Sequence, residues 1–122
     1  MKFLLIMHMN PAIMEELTDA ERQEIMDGHG TFMKTIRESG EMTGTAALAD
    51  PSQSSVVRVR DGVPVVTDGP YLEAKEFLGG YYLIDVASRE RALELAEMIP
   101  DARFNGLGIE VRQVIFSGGQ SA

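Results

Sequence analysis

Residues 55–67 read Ser-Val-Val-Arg-Val-Arg-Asp-Gly-Val-Pro-Val-Val-Thr, two valine-rich runs joined by Asp61-Gly62. An Asp-Gly pair between runs of high β propensity favours a tight hairpin, because both central residues of the preferred turn need positive φ. Pro64 has no N–H to donate, so its strand belongs at an edge or leaves that position unpaired. Alternation puts Val57 and Val59 on one face and Arg58 and Arg60 on the other. The hairpin lies in the middle of the chain, and the fold follows from what flanks it.

Upstream, residues 2–7 form a short continuous apolar strand, and Asn10-Pro11 opens a brief helical turn. Thr18-Asp19-Ala20-Glu21 fits a capping box. Ile25, His29, Phe32 and Ile36 then recur at spacings of four, three and four, one stripe of a helix that Gly40 stops. Residues 41–54 are small and polar, with a short strand expected over Met42–Leu48 and then a loop. Downstream, Asp68-Gly69-Pro70 is a second turn, leading into a charged segment, Tyr71–Leu78, read as a helical turn. Gly79-Gly80 precedes a strand over Tyr81–Val86. Ser88 caps a second amphipathic helix over 89–99, ended by Pro100. A last strand is expected over Ile109–Phe116. The order is β-α-β, hairpin, β-α-β: an α+β chain of the ferredoxin-like split βαβ type with an inserted β-hairpin. Residues 1–116 read as one domain, and the Gly/Ser-rich residues 117–122 as a mobile tail.

The chain has 122 residues, 44% of them hydrophobic and 25% charged, enough to bury a core without staples. With no cysteine, disulfides, thiolate metal sites and a cysteine nucleophile are excluded. The apolar N-terminal run ends at His8 without a small-residue cleavage site, and no segment has the length of a membrane span. A cytoplasmic location is expected. A formal net charge of −8, from 19 acidic and 11 basic residues, disfavours nucleic acid and anionic membranes as partners. The two histidines form no His-x-x-x-His pair and the acids no calcium loop, so no metal is expected. No Walker or dinucleotide fingerprint surrounds the glycines, so no cofactor is expected either.

Asp68-Gly69-Pro70-Tyr71, Glu73-Ala74-Lys75-Glu76 and Leu78-Gly79-Gly80-Tyr81-Tyr82 together resemble the central block of the DGPF-motif, YCII-related family. Lys2–Ile6, His29, the Val-Arg-Val-Arg-Asp-Gly hairpin and Glu110-Val111-Arg112 agree with it. The likeness covers roughly residues 1–115, with Tyr71 standing where the motif's name has phenylalanine. It implies a ferredoxin-like fold paired as a dimeric α+β barrel, in a superfamily that includes small isomerases, lyases and cofactor-free oxygenases acting on ring compounds. Genes of such proteins are often neighbours of extracytoplasmic-function sigma factors, which implies a regulatory link. It also implies a first-helix histidine paired with an aspartate.

His29 shares its stripe with Ile25, Phe32 and Ile36, so its imidazole is expected to face the sheet. An imidazole there serves as general base or acid, or as a core histidine satisfied by a carbonyl or carboxylate. Asp68, at a strand end, is the natural partner to orient it, although aspartate before Gly-Pro is also a routine turn residue. Asp101, just past the second helix, is the rival. Tyr71, Lys75 and Glu76 are candidate substrate contacts, Lys75 for a carboxylate or phenolate; the same run also reads as a solvated face. The eight methionines read as packing. Two functions follow: a cofactor-free isomerase or lyase moving a proton on a small aromatic or lactone-like molecule, or a non-catalytic ligand-sensing module linked to a sigma factor system. Tyr82, Ile84 and Val86 alternate with Tyr81, Leu83 and Asp85, and Val114 and Phe116 with Ile115, so the second sheet face is expected to be apolar and a homodimer is its simplest cover.

Overall fold

The computed structural model describes residues 1–70 and 76–118. Four strands, β1 (Lys2–Met9), β2 (Met42–Ala47), β5 (Phe77–Asp85) and β6 (Ile109–Gln113), form one sheet in the order β2-β5-β1-β6. Every neighbouring pair is antiparallel. With α2 (Asp19–Glu38) and α3 (Arg89–Met98) as its two crossovers, this is the ferredoxin-like split βαβ arrangement. The sheet is open and does not close into a barrel. A short α1 (Pro11–Glu16) follows β1, with Asn10 capping it and Pro11 in its first turn.

The inserted hairpin is a separate two-stranded ribbon, β3 (Ser55–Arg60) with β4 (Val63–Asp68). Asp61 and Gly62 both have positive φ, 50° and 77°, as the tight turn demands. Pro64 sits opposite Val59 in this narrow ribbon.

The helices cover one face of the large sheet. Phe3 opposite Ile84, and Leu5 opposite Tyr82, point to that side. They pack with Phe32 and Ile36 of α2 and with Ala92, Leu95, Ala96 and Ile99 around α3. The capping box that starts α2 is formed in both directions, Thr18 Oγ1 accepting from the Glu21 N–H and Glu21 Oε1 from the Thr18 N–H. Leu4 opposite Leu83, and Ile6 opposite Tyr81, point to the other face.

Two boundaries differ most from expectation. β5 begins at Phe77, so Phe77 and Leu78 are extended rather than helical, and Gly79-Gly80 lie inside a strand. A side chain on Gly80 would stand 2.8 Å from the Ala46 carbonyl oxygen, so its bare Cα lets β2 close on β5. Gly79 is the extra residue of a bulge, since Met7 pairs with Gly80 and His8 with Leu78. β6 stops at Gln113, and Ile115 and Phe116 are 96% and 85% exposed instead of paired. The expectations for Tyr71–Lys75, and for the tail beyond residue 118, lie outside the described residues.

Candidate functional site

Three elements meet at His29. Its place on α2 is set by Phe32 and Ile36, three and seven residues on, which anchor that helical face in the core. The preceding residue, Gly28, lies against Pro100, the fully buried first residue of the 3₁₀ turn Pro100–Arg103 that follows α3. A Cβ on Gly28 would come within 2.7 Å of the Pro100 ring. The missing side chain lets helix and turn approach, so that their next residues, His29 and Asp101, touch. From the sheet side comes Tyr82, on the helix-facing row of β5, its ring edge-on to Phe32 at 4.9 Å.

The imidazole is bonded at both nitrogens. Nε2 is 2.7 Å from Asp101 Oδ1, and Nδ1 is 2.7 Å from the Tyr82 hydroxyl. A carboxylate only accepts, so Nε2 carries the proton and the neutral ring receives the Tyr82 O–H at Nδ1. The Tyr82 and His29 rings also stack, with centroids 5.8 Å apart. Burial, and secondarily the Asp101 charge, pushes the Tyr82 phenol up to about 12, so it stays protonated as a donor. The result is a chain running phenol, imidazole, carboxylate, with each hydrogen bond in place.

This chain stands at the wall of a cavity of about 470 Å³ that His29, Tyr82 and Asp101 all line. The volume is within the range of small-molecule pockets. Met7, Met9, Met14, Met33, Leu48 and Leu107 make up its apolar wall. The His29 and Asp101 side chains keep 20% and 16% of their exposure, so the pair is shielded but not sealed. Several methionines read from sequence as packing thus border a cavity, where their flexible thioethers adapt to a ligand's shape.

Of the two aspartates weighed as partner for His29, Asp101 makes the bond. Asp68 closes the exposed ribbon, where its carboxylate accepts from Ser55 Oγ at 3.1 Å. It is held there by strand pairing of Ser55 with Asp68. Glu76 is exposed, one residue before β5; Tyr71 and Lys75 lie outside the described residues. Sequence reasoning missed Tyr82 and Gly28. The signal for Tyr82 was available, since a phenol alternating with Ile84 and Val86 on a buried row needs a polar partner. For Gly28 there was none, because its reason is a contact 72 residues away.

His8 also borders the cavity, with Nε2 2.6 Å from Glu110 Oε1. The His8 and Arg112 hydrogen bonds, in that order, hold the Glu110 carboxyl below the usual carboxylate range. Among the described residues, no group of three or more His, Asp and Glu side chains converges as a metal site. No helix among them is long and apolar enough to cross a membrane.

The chain is similar to an uncharacterized protein of Rhizobium meliloti (strain 1021), 28% identical over 112 residues, which are 92% of this chain and 90% of that one. The family model described as the YCII-related domain matches residues 1–116. Strand order, the helix-borne histidine and this end-to-end match agree, and the chain belongs to the YCII-related domain family.

Proposed function

We propose that this protein is a cofactor-free enzyme that moves a proton, by isomerisation or elimination, on a small aromatic or lactone-like molecule held in the cavity. The observation that carries the reading is His29 bonded at both nitrogens on the wall of an apolar pocket. An imidazole fixed by a carboxylate is a competent general base and acid, because the carboxylate orients the ring and stabilises the imidazolium. Asp101 takes the orienting role first considered for Asp68. Tyr71, Lys75 and Glu76 precede Gly79 and Gly80, which line the cavity, and that proximity in sequence supports them as contacts to a substrate's polar edge.

The test is an NMR titration of His29 in wild type, Asp101→Asn and Asp68→Asn. A titration whose midpoint responds to Asp101→Asn and ignores Asp68→Asn is expected. A His29 that does not titrate while the protein stays folded, or is indifferent to Asp101, sinks the proposal. A second reading, a non-catalytic binding module in a regulatory system, draws on the ribbon. There Val57, Val59 and Val66 share one face and are 62%, 67% and 63% exposed.

A further inference from the structure

With Nδ1 and Nε2 of His29 both engaged, a molecule in the cavity meets the imidazole through one of its two neighbours. Asp101 is the weaker route. A proton arriving on its carboxylate would discharge the anion that orients the His29 ring and is placed to stabilise its imidazolium, and the ring would add nothing. Tyr82 is the better one. Its O–H points to Nδ1, which leaves the oxygen's lone pairs to accept from a ligand. Tyr82 as a whole is 2% exposed, its ring locked between Phe32 and His29, so the hydroxyl is a fixed point on the cavity wall.

The wall limits what comes to that point. Met7, Met9, Met33 and Leu107 offer apolar, adaptable contacts. Among the described residues that line the cavity, Asp101 is the only carboxylate, and no lysine or arginine accompanies it. A ligand that is already an anion would be desolvated beside a fixed negative charge, with no lysine or arginine among the described lining residues to receive it.

We propose that the Tyr82 hydroxyl, rather than the His29 ring, is the atom that meets the substrate, and that the substrate arrives as a neutral, apolar-bodied weak acid such as a phenol or an enolisable ketone or lactone. This rests on the proton-transfer reading of the His29–Asp101 pair. In the step, the ligand's acidic O–H or C–H bond breaks and its proton goes to the Tyr82 oxygen. The Tyr82 proton passes at the same time to His29 Nδ1. The products are a ligand anion and an imidazolium bonded to the Asp101 carboxylate, and the phenol is regenerated. No electron changes hands. The high proton affinity of the buried phenolate suits a relay, since Tyr82 passes a proton on without ionising for long.

The probe is 2-naphthol, neutral in the ground state and a strong acid when excited, so that proton acceptance by the site appears directly as naphtholate emission. The chain has no tryptophan to interfere. Naphthalene and 2-naphthoate serve as the apolar and the anionic counterparts. Wild type is expected to bind 2-naphthol at least about tenfold more tightly than 2-naphthoate, with naphtholate emission from the bound probe. Tyr82→Phe keeps the ring against Phe32; it should leave naphthalene binding unchanged, weaken 2-naphthol about five- to tenfold, the worth of one neutral hydrogen bond, and abolish the naphtholate band. Persistent naphtholate emission in Tyr82→Phe, or 2-naphthoate binding as tightly as 2-naphthol, overturns the inference. If His29→Gln removes the emission while Tyr82→Phe does not, the inference fails and the His29 reading stands. If neither naphthol nor naphthalene binds, or emission ignores His29→Gln, both fall together.

Discussion

At the scale of single residues, the site depends on an atom that is absent. Gly28 has no Cβ, and Pro100 occupies the space one would take, at 2.7 Å and 2.9 Å from two ring carbons. Gly28→Ala sets two effects against each other. Alanine in a helix interior gains about 1 kcal/mol over glycine in propensity. Forcing a methyl group into a closed contact costs about 1–3 kcal/mol, and Pro100 is rigid and fully buried, so it cannot swing aside. The clash should win. Gly28→Ala is expected to lower the urea midpoint and to separate His29 from Asp101, seen as loss of the Nε2–H hydrogen-bond signature by NMR. A more stable variant with that signature intact would show that the turn yields freely. This residue marks the limit of what the sequence discloses. His29 was legible from its helical stripe, and Asp101 was in view as a rival to Asp68. The choice between them was not legible, because it turns on how closely α2 and the Pro100 turn pack, which no local pattern encodes.

Among elements, the clearest signals were local ones. The capping box, the Asp-Gly turn and the Ser88 cap each depend on residues a few positions apart, and each formed as read. Boundaries set by distant partners were misread: β5 starts early because Phe77 and Leu78 pair with Met9 and His8 of β1. One tie between elements was equally hidden. Glu41, at the threshold of β2, receives two hydrogen bonds of 2.9 Å from Arg91 of α3 and one of 2.7 Å from Ser39. The Arg91 bonds hold the Glu41 carboxyl below its ordinary value of 4.5. A carboxyl lowered in the fold stabilises it above the unfolded value, and that contribution is lost as pH falls through the folded one. Wild type should therefore melt higher than Glu41→Gln at pH 7, with the gap narrowing below pH 4.5 as the carboxylate is protonated. A gap of constant size from pH 7 to pH 3 would mean that the pair contributes no pH-dependent stability.

For the molecule as a whole, the unanswered face of the sheet is the main physical tension. Helices cover the row of Phe3, Leu5, Tyr82 and Ile84, whereas the half-buried Leu4, Tyr81 and Leu83 meet around a buried Ile6 across β1 and β5 on the side without helices. Leu4 and Ile6 are flanked in turn by Arg112 and Glu110 of β6, so an apolar centre has a charged margin, the usual anatomy of a protein interface. A sheet with both faces apolar was legible from the alternation in β5; what covers the second face was not, because a single chain's pattern does not name its partner. A second copy is the economical answer, since a two-fold axis through this patch would set Leu4 and Leu83 against their equivalents. We expect the protein to sediment as a dimer at micromolar concentration. Leu83→Arg places a charge on the open face and away from the helix-covered core, so it should give a folded monomer with unchanged helix content by circular dichroism. If wild type is itself a stable monomer at that concentration, the paired-sheet arrangement is wrong. If Leu83→Arg remains dimeric, the two copies meet elsewhere, and the exposed valine face of the β3–β4 ribbon becomes the surface to alter next.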